Sequence, residues 1–170
     1  FDPSVMFHVD MQDGAGDMLT NRAAAYHDSE FRPDYINGTI KDNGGSRMAG
    51  NWVVGRWPGK GALSFNGNMS SDHGTIGILD RDDAITMMVW VNKDTTSNGV
   101  VMARGGGWGD AGYSISWLNN QMRIDLQRHD PNEKVRVDNP APSIGEWHLI
   151  GFTWSVKQKS VQVYIDGELQ

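Results

Sequence analysis

From Gly61 onward the chain is a succession of short apolar or alternating runs separated by turn-forming residues: "GALSFNG", "AITMMVWVN", "GVVMARG", "GYSISWL", "QMRIDLQR", "KVRVDN", "EWHLIGFTWS" and "VQVYIDG". A period of two is the mark of a strand with one buried face. In "QMRIDLQ" it directs Met122, Ile124 and Leu126 toward a core and leaves Arg123, Asp125 and Gln127 on the open face. In the closing "SVQVYIDGELQ" it directs Val161, Val163 and Ile165 inward and Gln162 and Tyr164 outward. Asp166-Gly167 then predicts a tight hairpin turn, because glycine tolerates the positive φ that such a turn needs. Runs at this spacing, with turns between them, predict an all-β antiparallel sandwich. The side chains of Phe65, Ile85, Val89, Ile124, Phe152, Val163 and Ile165 are expected between its sheets.

The first third of the chain reads differently. "SVMFHVDM" (Ser4 to Met11) predicts an opening strand, whereas residues 13–61 are rich in Gly, Asn, Asp and Pro with little sustained periodicity. A mostly irregular excursion is expected there, with one short helical turn between Asn21 and His27. No internal repeat is present, and residues 1–170 are read as a single domain, a length that buries most of a core.

Composition agrees with strands and turns: 21 Gly and 7 Trp suit aromatic-rich strands joined by many turns, not a helical bundle. The net charge of −6 argues against nucleic acid and against an anionic membrane surface as partners, although a local basic patch could still hold a polyanion. The absence of cysteine removes disulfides, thiolate zinc sites and thiol catalysis together. No apolar stretch approaches the ~20 residues of a membrane span.

The order of the runs carries a resemblance. "ALSFNG" (Ala62 to Gly67), "ITMMVWV" (Ile85 to Val91), "WHLIGFT" (Trp147 to Thr153) and "VYIDG" (Val163 to Gly167) resemble the successive strands of laminin G-like domains in the concanavalin A-like jelly-roll superfamily. The opening "FHVDMQDGAGD" resembles that family's first strand and Gly-rich turn more loosely. The resemblance implies a jelly roll whose strands continue past the last hairpin. The domain is therefore expected to be C-terminally incomplete, its final strands lying beyond Gln170 or supplied by another segment. Because this fold carries lectins, adhesion modules and enzymes alike, the resemblance implies a fold more than an activity.

Catalysis is not expected of this chain. Glu30, Glu133, Glu146 and Glu168 form none of the alternating carboxylate patterns that glycosidases of this fold use, and G-x-S-x-G is absent. For metal, "DGAGD" (Asp13 to Asp17) and "LDRDD" (Leu79 to Asp83) gather hard oxygen donors of the kind calcium takes, and the resemblance places an early ligand of a structural calcium nearest Asp17 and Asn21. The same residues also serve as plain turn formers.

For sugar, "RGGGWGDAGYS" sets Trp108 in a Gly-rich loop with Arg104 and Asp110 close by: a flat aromatic flanked by planar polar groups. Arg123, Asp125, Gln127 and Tyr164 extend that site if their strands are neighbours; otherwise they belong to an ordinary solvated face. Trp52 and Trp57 either form a second aromatic site or pin the N-terminal excursion. Trp90, Trp147 and Trp154 are expected in the core or half-buried. The reading that follows is a secreted, non-catalytic module binding a polysaccharide or glycan. The alternatives are an adhesion module without a sugar site, or part of a polysaccharide-degrading enzyme whose catalytic residues lie elsewhere.

Overall fold

The computed structural model describes residues 5, 7–25, 37–74, 84–105, 112–127 and 134–170. Among these residues, thirteen strands and one 3-10 turn, at Arg22–Ala25, make up the regular structure, and every pairing between strands is antiparallel. The fold class is an all-β antiparallel sandwich of the jelly-roll kind. The chain divides into two compact units, Phe1–Leu79 and Asp80–Gln170.

In the first unit, β1 (Met18–Leu19), β2 (Gly38–Asp42) and β5 (Met69–Asp72) form a three-stranded sheet, and β3 (Trp52–Val54) pairs with β4 (Gly61–Leu63). Leu19, Ile40, Leu63 and Met69 make its core, with Val9, Met11, Met48 and Trp52 packed against them. The excursion over 13–61 is mostly irregular among its described residues, as expected. Three short strands run through it, pinned by apolar residues too widely spaced to show a period. The helical turn expected after Asn21 is present. Among the described residues of the expected opening strand, Val9 makes a single bridge to Asn21 and no ladder.

The second unit holds the sandwich. One sheet has the order β10 (Lys134–Pro140), β9 (Gln121–Gln127), β8 (Gly112–Leu118), β7 (Gly99–Arg104). The other has the order β13 (Glu168–Leu169), β12 (Ser160–Ile165), β11 (Trp147–Ser155), β6 (Ala84–Asn92). Tyr113, Ile115, Met122, Ile124 and Leu126 from the first sheet meet Ile85, Ile150, Phe152 and Val163 from the second in one buried cluster. Tyr113 and Phe152 touch edge to face with ring centroids 6.3 Å apart, a geometry that adds ~0.5–1.5 kcal/mol to their burial. Burial pushes the Tyr113 hydroxyl up to about 12, against a small opposing pull from Arg104.

The period-two reading holds strand by strand. Met122, Ile124 and Leu126 are buried while Arg123, Asp125 and Gln127 face out, and Val89, Val161 and Ile165 are half-buried against the core. Trp90, Trp147 and Trp154 are half-buried as well. Phe65 is the exception at 46 % exposure. The strand that was to carry it inward ends at Leu63, and Ser64 turns away to donate its amide to the Asn51 carbonyl. The Asp166-Gly167 turn has φ of 53° and 87°, both positive as a primed turn requires, and the chain returns as β13.

Candidate functional site: the outer faces of the sandwich

Alternation decides what each sheet shows to solvent. On the β7–β10 sheet, Arg136 lies opposite Asp125 and Asp138 opposite Arg123. Arg123 grips Asp138 with two nitrogens, Nε at 2.6 Å and Nη2 at 2.9 Å, and Arg136 Nε reaches Asp125 at 2.7 Å. The hydrogen bond from Arg123 holds the Asp138 carboxyl below the usual carboxylate range. Arg123 and Asp125 thus spend their polar atoms on partners across the β9–β10 ladder, as opposite charges facing each other on a sheet do. This matches the solvated-face reading of these residues. Gln127 shares their face at the end of the strand.

Tyr164 does not join them. Its strand belongs to the other sheet, so it looks out from the opposite side of the sandwich, and the proposed continuous strip from Arg123 to Tyr164 is not assembled. The reason is topological: alternation fixes the face of a strand but says nothing of which sheet the strand enters. Arg104 ends β7, half-buried and opposite Tyr113. Trp108 and Asp110 lie outside the described residues, as does all of "LDRDD" (Leu79 to Asp83).

What Tyr164 does flank is a depression. Across β12, β11 and β6 the register aligns Tyr164, Gly151 and Met88 in one row and Gln162, Thr153 and Thr86 in the next. Gly151 contributes no side chain, so the outward row has a gap between Tyr164 and Met88, two strand spacings or about 10 Å apart. A Cβ at Gly151 would run into the Met87 carbonyl oxygen and come 2.7 Å from Met88 Cγ. Glycine is thus dictated by the close approach of β6 to β11. The result is a groove of about 270 Å³ lined by Thr86, Met88, Leu149, Gly151, Thr153 and Tyr164.

Its floor is apolar and one wall is a tyrosine ring. Along the edge, Gln162 Oε1 accepts the Tyr164 hydroxyl at 3.2 Å and the Thr153 hydroxyl at 3.4 Å, so the amide NH2 of Gln162 is turned away from both. An apolar floor beside an aromatic face, with hydroxyl and amide groups along one rim, suits a ring that is apolar on its faces and hydroxylated at its edge. Of the described residues that sequence reasoning assigned to sugar, Tyr164 alone lines this groove. Gly151, Met88 and Thr86 were missed, and the only local signal was a glycine interrupting an otherwise apolar strand.

In the first unit, Asn21 is buried, and its side-chain oxygen accepts the backbone amides of His8 at 3.0 Å and Ala23 at 3.1 Å. Asp17 Oδ2 faces Arg47 Nε at 3.4 Å. Just before them in sequence, Asp13 takes the amide and hydroxyl of Thr20 at 2.9 and 2.6 Å, and Arg22 bridges it to Asp10. Burial raises the Asp13 carboxyl, but these hydrogen bonds and the Arg22 charge outweigh it and hold the group below its ordinary value. Calcium takes six to eight oxygens. At Asp17 and Asn21 it would have to displace two amides and a guanidinium, so the pair as placed does not fit the ion. Among the described residues no group of three or more His, Cys, Asp or Glu is gathered to hold a metal.

The two tryptophans of the N-terminal excursion part company. Trp52 packs against the first unit's core and donates Nε1 to the Gly16 carbonyl, so it pins the excursion. Trp57 sits at the β3–β4 hairpin tip, 47 % exposed, with the Arg56 guanidinium 4.6 Å above its ring.

Residues 65–170, more than half of the chain, match the model of a laminin G-like family described as the concanavalin A-like lectin/glucanases superfamily. No curated protein and no solved structure matches the chain. The chain belongs to the concanavalin A-like lectin/glucanases superfamily, in its laminin G-like branch.

Proposed function

We propose that this domain binds a polysaccharide or glycan in the groove over Gly151, and that it does so as an extracellular module. The observation that carries this reading is the gap at Gly151, framed by the Tyr164 ring and Met88 and edged by Thr86, Thr153 and Gln162. A pyranose seated there would lay its C–H face on the apolar floor and the tyrosine ring while its hydroxyls meet the Gln162 amide and the threonine hydroxyls. Membership in a superfamily of lectins and glucanases supports the same ligand class.

The test is a glycan array followed by calorimetry on the best ligand. Tyr164→Ala should weaken binding about tenfold, the loss of roughly 1–1.5 kcal/mol expected for one aromatic face beyond simple burial. Full affinity in Tyr164→Ala, or no ligand on an array covering neutral and acidic glycans, would remove the groove from consideration.

A further inference from the structure

At one end of the sandwich the loop before β11, the first turn of β11 and the β12–β13 turn bring three side chains into line. His148 Nδ1 lies 2.6 Å from Asp166 Oδ2, and its Nε2 lies 2.9 Å from Ser143 Oγ. Asp166 is fixed on both sides, since its Oδ1 accepts the Leu149 amide at 2.9 Å and its own amide donates to the Leu149 carbonyl at 2.8 Å. The His148 side chain is 14 % exposed, whereas Ser143 is open to solvent. We propose that Ser143, His148 and Asp166 form a nucleophile–base relay that accepts the acyl group of a carboxylic ester.

The chemistry follows from the order of the contacts. The Asp166 carboxylate accepts a hydrogen bond from Nδ1–H and so leaves Nε2 as the acceptor facing the serine, which is the arrangement that activates a hydroxyl for attack. As Ser143 Oγ bonds to the ester carbonyl carbon, its proton passes to His148 Nε2. When the carbon–oxygen bond to the alcohol breaks, the departing oxygen takes that proton. Water, giving a proton to His148, then attacks the acyl-serine; the carboxylic acid leaves and the proton returns to Ser143. The net reaction is ester plus water to acid plus alcohol, and Asp166 stays ionised throughout.

One group stands against the relay. Glu146 Oε2 is 2.6 Å from Ser143 Oγ and 3.9 Å from His148 Nε2, so Glu146 and His148 compete for one hydroxyl proton. Glu146 is 72 % exposed, and a hydrogen bond to so exposed a carboxylate exchanges readily with water. It acts as a brake on the serine.

Leu149 lines the groove and His148 precedes it on β11, so the two side chains point to opposite faces of the sheet, His148 to the side of Ile150 and Phe152. The relay therefore stands apart from the groove, and it is tested with small ester probes that need no groove.

The intact chain is treated with a fluorophosphonate and, separately, with 4-nitrophenyl acetate. One covalent adduct on Ser143 is expected, lost in Ser143→Ala. His148→Ala should lower ester hydrolysis by about 10²–10⁴-fold, the usual share of general-base assistance. Glu146→Gln should raise the rate severalfold, because an amide oxygen accepts the hydroxyl proton more weakly than a carboxylate does. Asp166→Asn keeps an oxygen for the Leu149 amide but frees the imidazole tautomer, and should lower kcat with KM unchanged. The relay is overturned if folded parent protein gives no adduct on Ser143. Hydrolysis that survives Ser143→Ala, or that falls in Glu146→Gln, overturns it equally, the latter because Glu146 would then be the base.

Discussion

Gly151→Ala is the sharpest test of how the groove is built. The added methyl meets the Met87 carbonyl oxygen and lies 2.7 Å from Cγ and 3.1 Å from Cα of Met88. The Met88 side chain is 60 % exposed and can swing aside. The Met87 carbonyl cannot, because it belongs to the β6 backbone, which is in register with β11 from Ala84 to Asn92. Forcing a methyl into a site with no give costs about 1–3 kcal/mol. Against this, alanine restricts the unfolded chain and returns about 0.4–1 kcal/mol. The expected net loss is about 1–2 kcal/mol, which for a chain of 170 residues is a fall in Tm of roughly 2–8 °C. Gly99→Ala is the control, since nothing lies within 4 Å of the Cβ it would add. Thermal melts followed by circular dichroism, with urea midpoints at unchanged m, measure both. If Gly151→Ala melts with the parent, the close approach of β6 and β11 is not what excludes a side chain there, and the argument for the gap fails.

Other outcomes follow from contacts described above. Asp72, hydrogen-bonded by Lys41 and by the Gly74 amide, and Asp138, hydrogen-bonded by Arg123, both titrate below the ordinary 3.8 when folded. Their stabilisation is complete above that value and is lost as pH falls through the lower folded values, so Asp72→Asn should flatten the acid limb of a stability–pH curve. At the other extreme the Tyr113 hydroxyl, 10.0 ordinarily and about 12 when folded, makes the unfolded chain lose its proton first. Stability should therefore drop between those values, and Tyr113→Phe should remove that drop; an alkaline limb unchanged in Tyr113→Phe would disprove the assignment. Since the Asn21 oxygen is held by two amides, exchanging chelator for millimolar calcium should leave the Tm within about 1 °C, whereas an ion bound only to the folded state would raise it.

What was legible in the sequence was local. β9 shows its buried face as Met122, Ile124 and Leu126 because a strand with one wet side must alternate, and the Asp166-Gly167 turn announces itself because few residues adopt φ of 53° and then 87°. β5 was invisible because three of its four residues, Ser70, Ser71 and Asp72, are polar; it exists through pairing with β2, to which no local pattern points. The groove was hidden for the same reason. Tyr164, Gly151 and Met88 become neighbours only once β12, β11 and β6 are laid side by side. Ser143 carried no motif because its histidine and aspartate arrive on different strand ends.

The route by which β11 finds β6 bears on how fast the molecule forms. β8 and β9 are joined by Asn119 and Asn120, both at positive φ, and β11 and β12 by a short turn, so these hairpins close on microsecond timescales from contacts near in sequence. The β6–β11 ladder must wait while the chain traverses four intervening strands, and the entropy of closing that loop is spent before any of its pairs reward it. Refolding should thus be governed by the arrival of β6. Disturbing the Asn119–Asn120 turn would then change mainly how quickly the sheet is reached, and Gly151→Ala mainly how quickly it is left.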